Sequence, residues 1–522
     1  MKVQAFSLTL LLLTASVAAS AQTPEPPPTR ALAEEDALRL AVTQSPSLRA
    51  ALLDVSRAGA GVSVEEDRYP LLLQLDGSAD YLKSPSLASA DAGGVQTSTN
   101  EIITLGSQLS KQFSFGTSLS FRLQGSYSRR IFPPLPTQPV QVTLGPGYDL
   151  RARLSVVQPL LRGFGDDQGE AALRAAKLDQ ASSESTVHRA ASELLRDVLV
   201  AYWELWYASE AVRIEIAAKT LAEDEQENVK ARIEAGTAAP VDVHSASTRV
   251  AELEESVATA RLEQQRRALE LGLLLGEPSR QAQNLDTAAS QPPDVNDLPP
   301  LQQLVDAAMA TSPELAERDA AIAASQDRER SAGEPDRQRL DLEGWVQTEG
   351  LGNQQVPPAF EQFGTFGAFS AHLGLVYELP LTGSRYDSQK AAARHATESL
   401  EAQREATALR IESDIHRLHQ QATVASRRVE LAERTTEAAE AQLAAARDRM
   451  DLGGGLAIDV ERAEDALRRA RLRAVRARVD GHAAKLALDH ATGQLLLRYA
   501  EIAREQGLAS SLHVPPAPRG PF

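Results

Sequence analysis

Two similar stretches decide the fold of this chain: RIEAGTAAPVDVHSA at residues 232–246 and RMDLGGGLAIDVERA at residues 449–463. Each closes a long run without helix breakers, since residues 170–235 and 384–452 contain neither Gly nor Pro. A helix built from either run would be roughly 100 Å long at about 1.5 Å per residue. We therefore predict that these stretches, named the first tip and the second tip, reverse the chain after a long helix. Gly236 and Gly453 are the expected C-caps, and Pro240 falls where the next helix tolerates a first-turn proline.

A coiled-coil repeat runs along the second of these long helices. Twelve positions separated alternately by four and three residues form a stripe, named the seam, and eleven of them are apolar. A period of 3.5 residues is typical of helices that pack side by side, so this helix is predicted to pack against others. The seam consists of Ile411, Ile415, Leu418, Ala422, Ala425, Val429, Ala432, Thr436, Ala439, Leu443, Ala446 and Met450.

The two tips belong to a longer repeat. They share the pattern R-x3-G-x5-D-V-x2-A at an offset of 217 residues, and Gly276 and Gly493 follow at the same offset without a gap. The motif SPSL at 45–48 corresponds to SPEL at 312–315. These matches indicate an internal duplication. We predict a first repeat over 22–297, with strands within 69–160 and a helical hairpin over 166–275. The second repeat covers 298–500, with strands within 339–380 and a hairpin over 384–492, and a tail follows at 501–522.

Apolar and polar residues alternate in four windows, which predicts β-strands near 70–81, 148–158, 339–349 and 366–379. Such alternation fits a soluble antiparallel sheet with one face on a core, and it also fits a membrane barrel. A barrel in lipid has no open edge, and four strands are too few to close one, so several copies would have to form a ring. Residues 101–128 read as an extra hairpin that either extends the barrel strands or forms an external loop.

The N-terminus and the composition limit the class of protein. Lys2, the apolar run 6–17 and Ala19-Ser20-Ala21 predict a signal peptide over 1–21 that is cleaved on secretion across the inner membrane. The chain contains no Cys, which excludes disulfides and cysteine catalysis. A formal charge of −17 disfavours binding to nucleic acid.

Taken together, the sequence resembles the TolC-like outer membrane efflux proteins. The resemblance rests on the duplicated halves, the two tips, VVQPLLRGFG at 156–165, VYELPLTG at 376–383 and LLLGEP at 273–278. It implies a mainly α fold with membrane β-structure: a trimeric, 12-stranded transmembrane β-barrel continued by a long periplasmic coiled-coil α-barrel. The implied function is a passive channel of a tripartite efflux or type I secretion system. The implied partners are a periplasmic adaptor protein, an inner-membrane transporter and outer-membrane lipid.

The resemblance also implies roles for residues of the tips. The adaptor would dock on Arg232, Gly236, Thr237, Arg449, Gly453 and Gly454. Asp242 and Asp459 would form an acidic entrance to the channel, although a carboxylate is also favoured at any helix N-terminus. Relatives can carry a second acid where this chain has Arg462, with Ser245 as its counterpart in the first tip. An Asp–Arg latch is therefore an alternative to a ring of carboxylates.

Other functions have less support in the sequence. GFGDDQG at 163–169 lacks the spacing of a dinucleotide loop and reads as a strand-to-helix connection capped by Asp166 or Asp167. His416 and His419 are most simply part of a solvated helix face. We predict no enzyme activity, no cofactor and no metal. The rival function is a soluble periplasmic coiled-coil adaptor, and the substrate is left open.

Overall fold

The structure, a computed structural model, describes residues 30–87, 95–132, 134, 140–165, 169–236, 239–293, 298–332, 338–381, 385–452 and 454–505. The predicted signal peptide, most of the predicted tail, Asp166, Asp167, Thr237 and Gly453 lie outside these ranges. Within them the fold is mainly α-helical with one large sheet, which confirms the predicted class.

The first half of the described chain contains six strands and five helices. They are β1 (Arg30–Leu32), α1 (Glu34–Gln44), α2 (Pro46–Glu66), β2 (Leu71–Leu87), β3 (Val95–Gln112), β4 (Ser118–Phe132), β5 (Val142–Pro159), α3 (Ala171–Glu234), α4 (Asp242–Leu275), α5 (Ser279–Ala282) and β6 (Leu285–Thr287). The second half contains α6 (Leu301–Thr311), α7 (Pro313–Ser331), β7 (Arg339–Asn353), α8 (Pro357–Gly364), β8 (Ala368–Glu378), α9 (Arg385–Asp451), α10 (Ala457–Ala491) and α11 (Gln494–Glu505).

The chain forms two compact units. One comprises Ala201–Pro292, Thr435–Val479 and the chain up to Ala37, and the other comprises Leu38–Val200, Pro293–Arg434 and the chain from Asp480. Neither unit coincides with one of the predicted repeats, so the repeat boundaries stay a prediction.

A single antiparallel sheet contains most of the strands, in the order β2-β3-β4-β5-β7-β8. The extra hairpin predicted near 101–128 is β3–β4, and it pairs along its length between β2 and β5. The expectation of four sheet strands in each chain is therefore wrong, because the sheet has six. Alternation is hard to recognise in β3 because Glu101, Ser107 and Lys111 interrupt its apolar face.

The two faces of the sheet are sharply different. One row of paired residues crosses all six strands and is entirely apolar, whereas the next row, which projects to the opposite face, is entirely polar. The apolar row is Leu73, Leu109, Phe121, Leu154, Val346 and Ala371, and the polar row is Gln74, Gln108, Arg122, Arg153, Gln347 and Ser370.

The seam of α9 is confirmed, since all twelve of its residues are buried or half-buried. Ile415 and Ala422 pack with Leu304, Ala308 and Leu488 in one cluster. A second cluster joins the end of α9 to the start of α10, where small residues let the helices approach closely: Ala439, Leu443, Ala446, Ala463, Leu467 and Ala470.

The SPSL and SPEL motifs mark helix breaks. Pro46 and Pro313 each begin a new helix, at the position where a proline needs no backbone N–H partner. In the second motif the Ser312 hydroxyl also caps the helix by accepting a hydrogen bond from the Leu315 N–H at 3.3 Å.

Gly272 on α4 leaves room for the neighbouring helix α5. A Cβ at this buried position would overlap the Cβ of Ala282. We expect Gly272→Ala to lower the free energy of unfolding by about 1–3 kcal/mol because the site is already full. Adding Ala282→Gly, which removes the opposing methyl group, should restore part of that loss. Thermal melting followed by helical circular dichroism tests this, and an undiminished loss in the double variant would contradict it.

His482 on α10 makes stability depend on pH. Burial lowers its pKa from 6.5 to about 4, and the nearby charges of Lys485 and Arg498 act in the same direction. The unfolded chain therefore takes up a proton at a pH where the folded chain does not. Stability from this group is present above pH 6.5 and is lost as the pH falls towards 4, by at most ~3 kcal/mol.

We expect His482→Gln to reduce the fall in melting temperature between pH 7 and pH 4.5. The same substitution at the exposed His416 is the control and should leave that fall unchanged. Equal pH profiles for the wild type and His482→Gln would show that His482 is not the group responsible.

Candidate functional site

The first tip is a capped turn. Gly236 follows α3 with a φ of +74°, the left-handed conformation of a C-cap, as predicted. The Asp242 N–H donates to the Ala239 carbonyl at 3.0 Å, and the Asp242 Oδ2 accepts from the Ala239 N–H at 3.1 Å. This reciprocal pair resembles a capping box, and it encloses Pro240, which has no N–H to satisfy.

The second tip makes close backbone contacts with the end of α9. The Gly454 N–H donates to the Arg449 carbonyl at 3.1 Å, which is the long bond of a Schellman-type helix end. A Cβ at Gly455 would lie 2.7 Å from the Met450 nitrogen, so only glycine fits this close to α9. The second tip is thus held against the end of its helix.

The predicted entrance residues do not bond to one another. Asp242 and Asp459 lie in the first turns of α4 and α10, and Arg462 is exposed one turn further along α10. Among the described residues, no hydrogen bond or ion pair joins any two of the three. Asp242 is engaged in its own helix cap, which favours the helix N-terminus interpretation for that residue.

The predicted docking residues are on the surface as far as they are described. Arg232 and Arg449 are exposed in the last turns of α3 and α9, and Gly236 and Gly454 are exposed beyond them. Thr237 and Gly453 lie outside the described residues.

A charge cluster that the sequence did not predict connects the two helical hairpins. Arg249 of α4 reaches α10, with Nη2 3.2 Å from Glu464 Oε2 and 3.6 Å from Asp465, and Nη1 3.8 Å from Glu461. Arg447 of α9 binds the other Glu464 oxygen at 3.1 Å. Glu464 is thereby shared between arginines of both hairpins, and its side chain is only 15% exposed.

A signal for this cluster is present in the sequence, in the places where the aligned repeats differ. When the repeats are aligned at the offset of 217, His244, Ser247 and Thr248 of the first repeat correspond to Glu461, Glu464 and Asp465 of the second. Arg249 corresponds in the same alignment to Ala466. The helices α4 and α10 thus carry opposite charges at these positions, where their side chains are in contact.

Charged side chains on the polar face of the sheet are also linked across strands. Arg122 binds Asp76 at 2.9 Å and Gln108 at 3.2 Å. Arg151 binds Glu349 at 2.8 Å. These residues form a polar surface with charges of both signs on the face of the sheet opposite the apolar face.

Arg153 continues this surface. It binds Gln347 at 2.9 Å, and its guanidinium lies 4.3 Å from the centroid of the Trp345 ring. Such stacking holds an arginine while leaving it charged.

In the described ranges, no group of three or more His, Asp or Glu side chains is arranged to hold a metal ion. Nor does any described helix combine the length and apolar character needed to cross a membrane.

Solved structures share this fold. They include a membrane protein from Pseudomonas aeruginosa, with a TM-score of 0.60 and 16% identity over 88% of this chain and 93% of that one. The outer membrane protein VceC from Vibrio cholerae gives 0.58 and 17% identity, over 88% and 96% of the two chains. The CmeC outer membrane channel of Campylobacter jejuni gives 0.59 and 12% identity, over 97% and 98%.

Long helical hairpins with a two-faced sheet are thus a fold that this chain shares with solved outer membrane proteins. Residues 304–494 match the family model described as outer membrane efflux protein. The match covers less than half of the chain, and over this segment it confirms the predicted resemblance to that family. No curated protein matches the chain significantly.

Proposed function

We propose that the protein is a passive channel in the outer membrane, serving a tripartite efflux or type I secretion system. The observation that carries this proposal is the sheet, whose apolar and polar rows cross all six strands in phase. A wall between lipid and a water-filled bore needs this arrangement. A soluble adaptor, the rival function, would have to bury the apolar face, yet Leu73, Leu75 and Leu373 are exposed.

The channel requires several copies of the chain. The sheet has two open edges, β2 and β8, and lipid does not tolerate unpaired backbone groups. On α9, Leu409, Val424 and Leu431 lie outside the seam and are exposed, as expected for helices that pack against a neighbouring copy. We propose a homotrimer, with the sheets in the outer membrane and the long hairpins in the periplasm.

The two tips form the periplasmic entrance in this proposal. Three chains with two similar tips each offer six similar docking places for a periplasmic adaptor protein, which connects the channel to an inner-membrane transporter. Opening separates the hairpins of one chain, and the cluster of Arg249, Arg447 and Glu464 resists that separation. The chain itself performs no reaction and binds no cofactor or nucleic acid.

Fractionation and electrophysiology test the proposed function. We expect the mature protein to need detergent for extraction from the outer membrane, to run as a trimer in it, and to form ion-conducting pores in planar bilayers. Protein denatured before reconstitution is the control for bilayer leakage. If the protein is a monomer that is released without detergent and produces no current in planar bilayers, the proposed channel is excluded.

A further inference from the structure

We infer that the hairpin β3–β4 is a third pair of wall strands in every copy, so that the ring closes as an eighteen-stranded barrel. The count combines the six strands of this sheet with the three copies of the proposed function, on which the inference rests. Twelve strands would require β3 and β4 to lie outside the wall.

Backbone pairing places the hairpin inside the wall. Every residue of β2 from Leu71 to Leu87 pairs with β3, and β4 pairs with β5 from Ser118 to Phe132 with one irregularity. β2 and β5 would be direct neighbours in a four-stranded sheet, but here two full-length strands separate them. Removing the hairpin from the wall would break both pairings.

The side chains of the hairpin match those of its neighbours on both faces. Leu109 and Phe121 continue the apolar row, and Gln108 and Arg122 continue the polar row. Arg122 also binds Asp76 of β2, two strands away, across the polar face. An external loop does not require its apolar and polar residues to match the faces of the neighbouring strands. A strand between lipid and water does require this match.

The turn of the hairpin is fixed to the chain where β5 leads into α3. The Phe113 N–H donates to the Thr117 carbonyl at 2.9 Å and closes the turn, and the Gly165 N–H donates to the Phe115 carbonyl at 3.3 Å. A Cβ at Gly169 would overlap the Ser114 carbonyl. The turn therefore packs on the backbone of this connection and holds the end of the hairpin level with the end of β5.

The two open edges are suited to each other. Successive strands alternate in direction, so with six strands the edges β2 and β8 run in opposite directions. Placing β8 of one copy beside β2 of the next therefore continues the antiparallel order around the ring. Both edge strands expose apolar side chains of the same face, such as Leu75 and Leu375, as expected of strands that contact lipid.

The strand number sets the width of the pore. Barrel diameter grows roughly in proportion to strand number, so eighteen strands give a bore about 1.5 times as wide as twelve, and a cross-section about twice as large. Barrels with 16–18 strands hold open aqueous channels. The outer end of this channel would thus admit larger solutes than a barrel with four strands from each copy.

Cysteine labelling tests the position of the hairpin, and the chain has no native Cys to interfere. The single variants are Ser120→Cys and Phe121→Cys on β4, with their paired residues on β5, Ser155→Cys and Leu154→Cys, as matched controls. Each is reconstituted in liposomes and exposed to a small water-soluble maleimide. We expect Phe121→Cys to react about tenfold more slowly than Ser120→Cys, with the same contrast between the β5 variants.

The controls separate two kinds of failure. If Phe121→Cys reacts as fast as Ser120→Cys while Leu154→Cys stays protected, the hairpin is outside the wall and this inference is overturned, with the channel intact. If Leu154→Cys reacts as fast as Ser155→Cys, the proposed membrane barrel itself fails.

Deleting residues 95–132 tests the width. The deletion joins β2 to β5 through residues 88–94 and 133–141, and the apolar rows of the two strands stay in line. Polyethylene glycols of graded size are added on the outer side of the bilayer. We expect the diameter of the largest polymer that enters to fall by about one third. An unchanged limit in an inserted deletion variant overturns the inference, and if the variant does not insert, the labelling result decides.

Discussion

Leu154→Arg is expected to abolish most of the membrane-inserted protein. Leu154 belongs to the apolar row and is paired on both sides, with Phe121 and Val346. A guanidinium on the lipid face of a barrel costs about 2–4 kcal/mol near the bilayer centre and less near its surfaces. In the proposed trimer, three copies would place three such charges in one ring, so each assembly would carry this cost three times. Immunodetection of folded trimers in outer-membrane fractions measures the loss.

Ser155→Arg is the matched control for this prediction. It introduces the same side chain one residue further along β5, on the polar face that already carries Arg151 and Arg153. We expect trimers near the wild-type level. Equal loss from the two variants would mean that the faces do not separate lipid from water, and the proposed channel would have to be abandoned.

Arg249→Gln is expected to increase the ion conductance of the channel at rest. The substitution removes the guanidinium of Arg249, which lies near Glu461, Glu464 and Asp465 of the other hairpin. Arg447 still binds Glu464. In this partly exposed cluster the loss is about 1–2 kcal/mol, between the values for exposed and buried pairs. A change of that size shifts the ratio of open to closed channels by about tenfold. Single-channel recording of open probability is the measurement.

Arg266→Gln provides the comparison, because Arg266 pairs with Glu263 and Glu270 of its own helix and does not connect the hairpins. Its open probability should match that of the wild type. Alanine at Asp242, Asp459 and Arg462 tests the other hypothesis for the entrance. If those variants open the channel and Arg249→Gln does not, the entrance is held closed by these three residues and not by the cluster between the hairpins.

The elements with strong periodicity could be predicted from the sequence. Long runs without Gly or Pro gave the bounds of α3 and α9 to within a few residues, because nothing in those runs interrupts the helical hydrogen bonds. The strands β2, β5, β7 and β8 were located by their alternation. The breaks between α1 and α2 and between α6 and α7 are harder to predict, although Pro46 and Pro313 mark them.

Features that depend on distant contacts could not be predicted. The place of the hairpin in the sheet is set by pairing between strands, and the alternation of β3 alone is too weak to reveal it. The helix α8 sits in the connection between β7 and β8, where Gly350 leaves space for the Ala359 carbonyl. A single glycine does not indicate which helix will fill the space beside it. The cluster of Arg249 and Glu464 likewise joins residues 215 positions apart.

The unlike edges of the sheet also determine how the assembly tolerates faulty copies. In the proposed ring, each protomer pairs its β2 edge with one neighbour and its β8 edge with the other, so damage to either edge leaves a gap that an intact protomer cannot close. In a cell that makes intact and damaged chains in equal amounts, only about one ring in eight would contain three intact chains. Mutations that damage these edges would therefore be dominant, because most rings would contain at least one damaged chain. A mutation that prevents the chain from folding would keep that chain out of the rings, so the intact chains would still form intact rings.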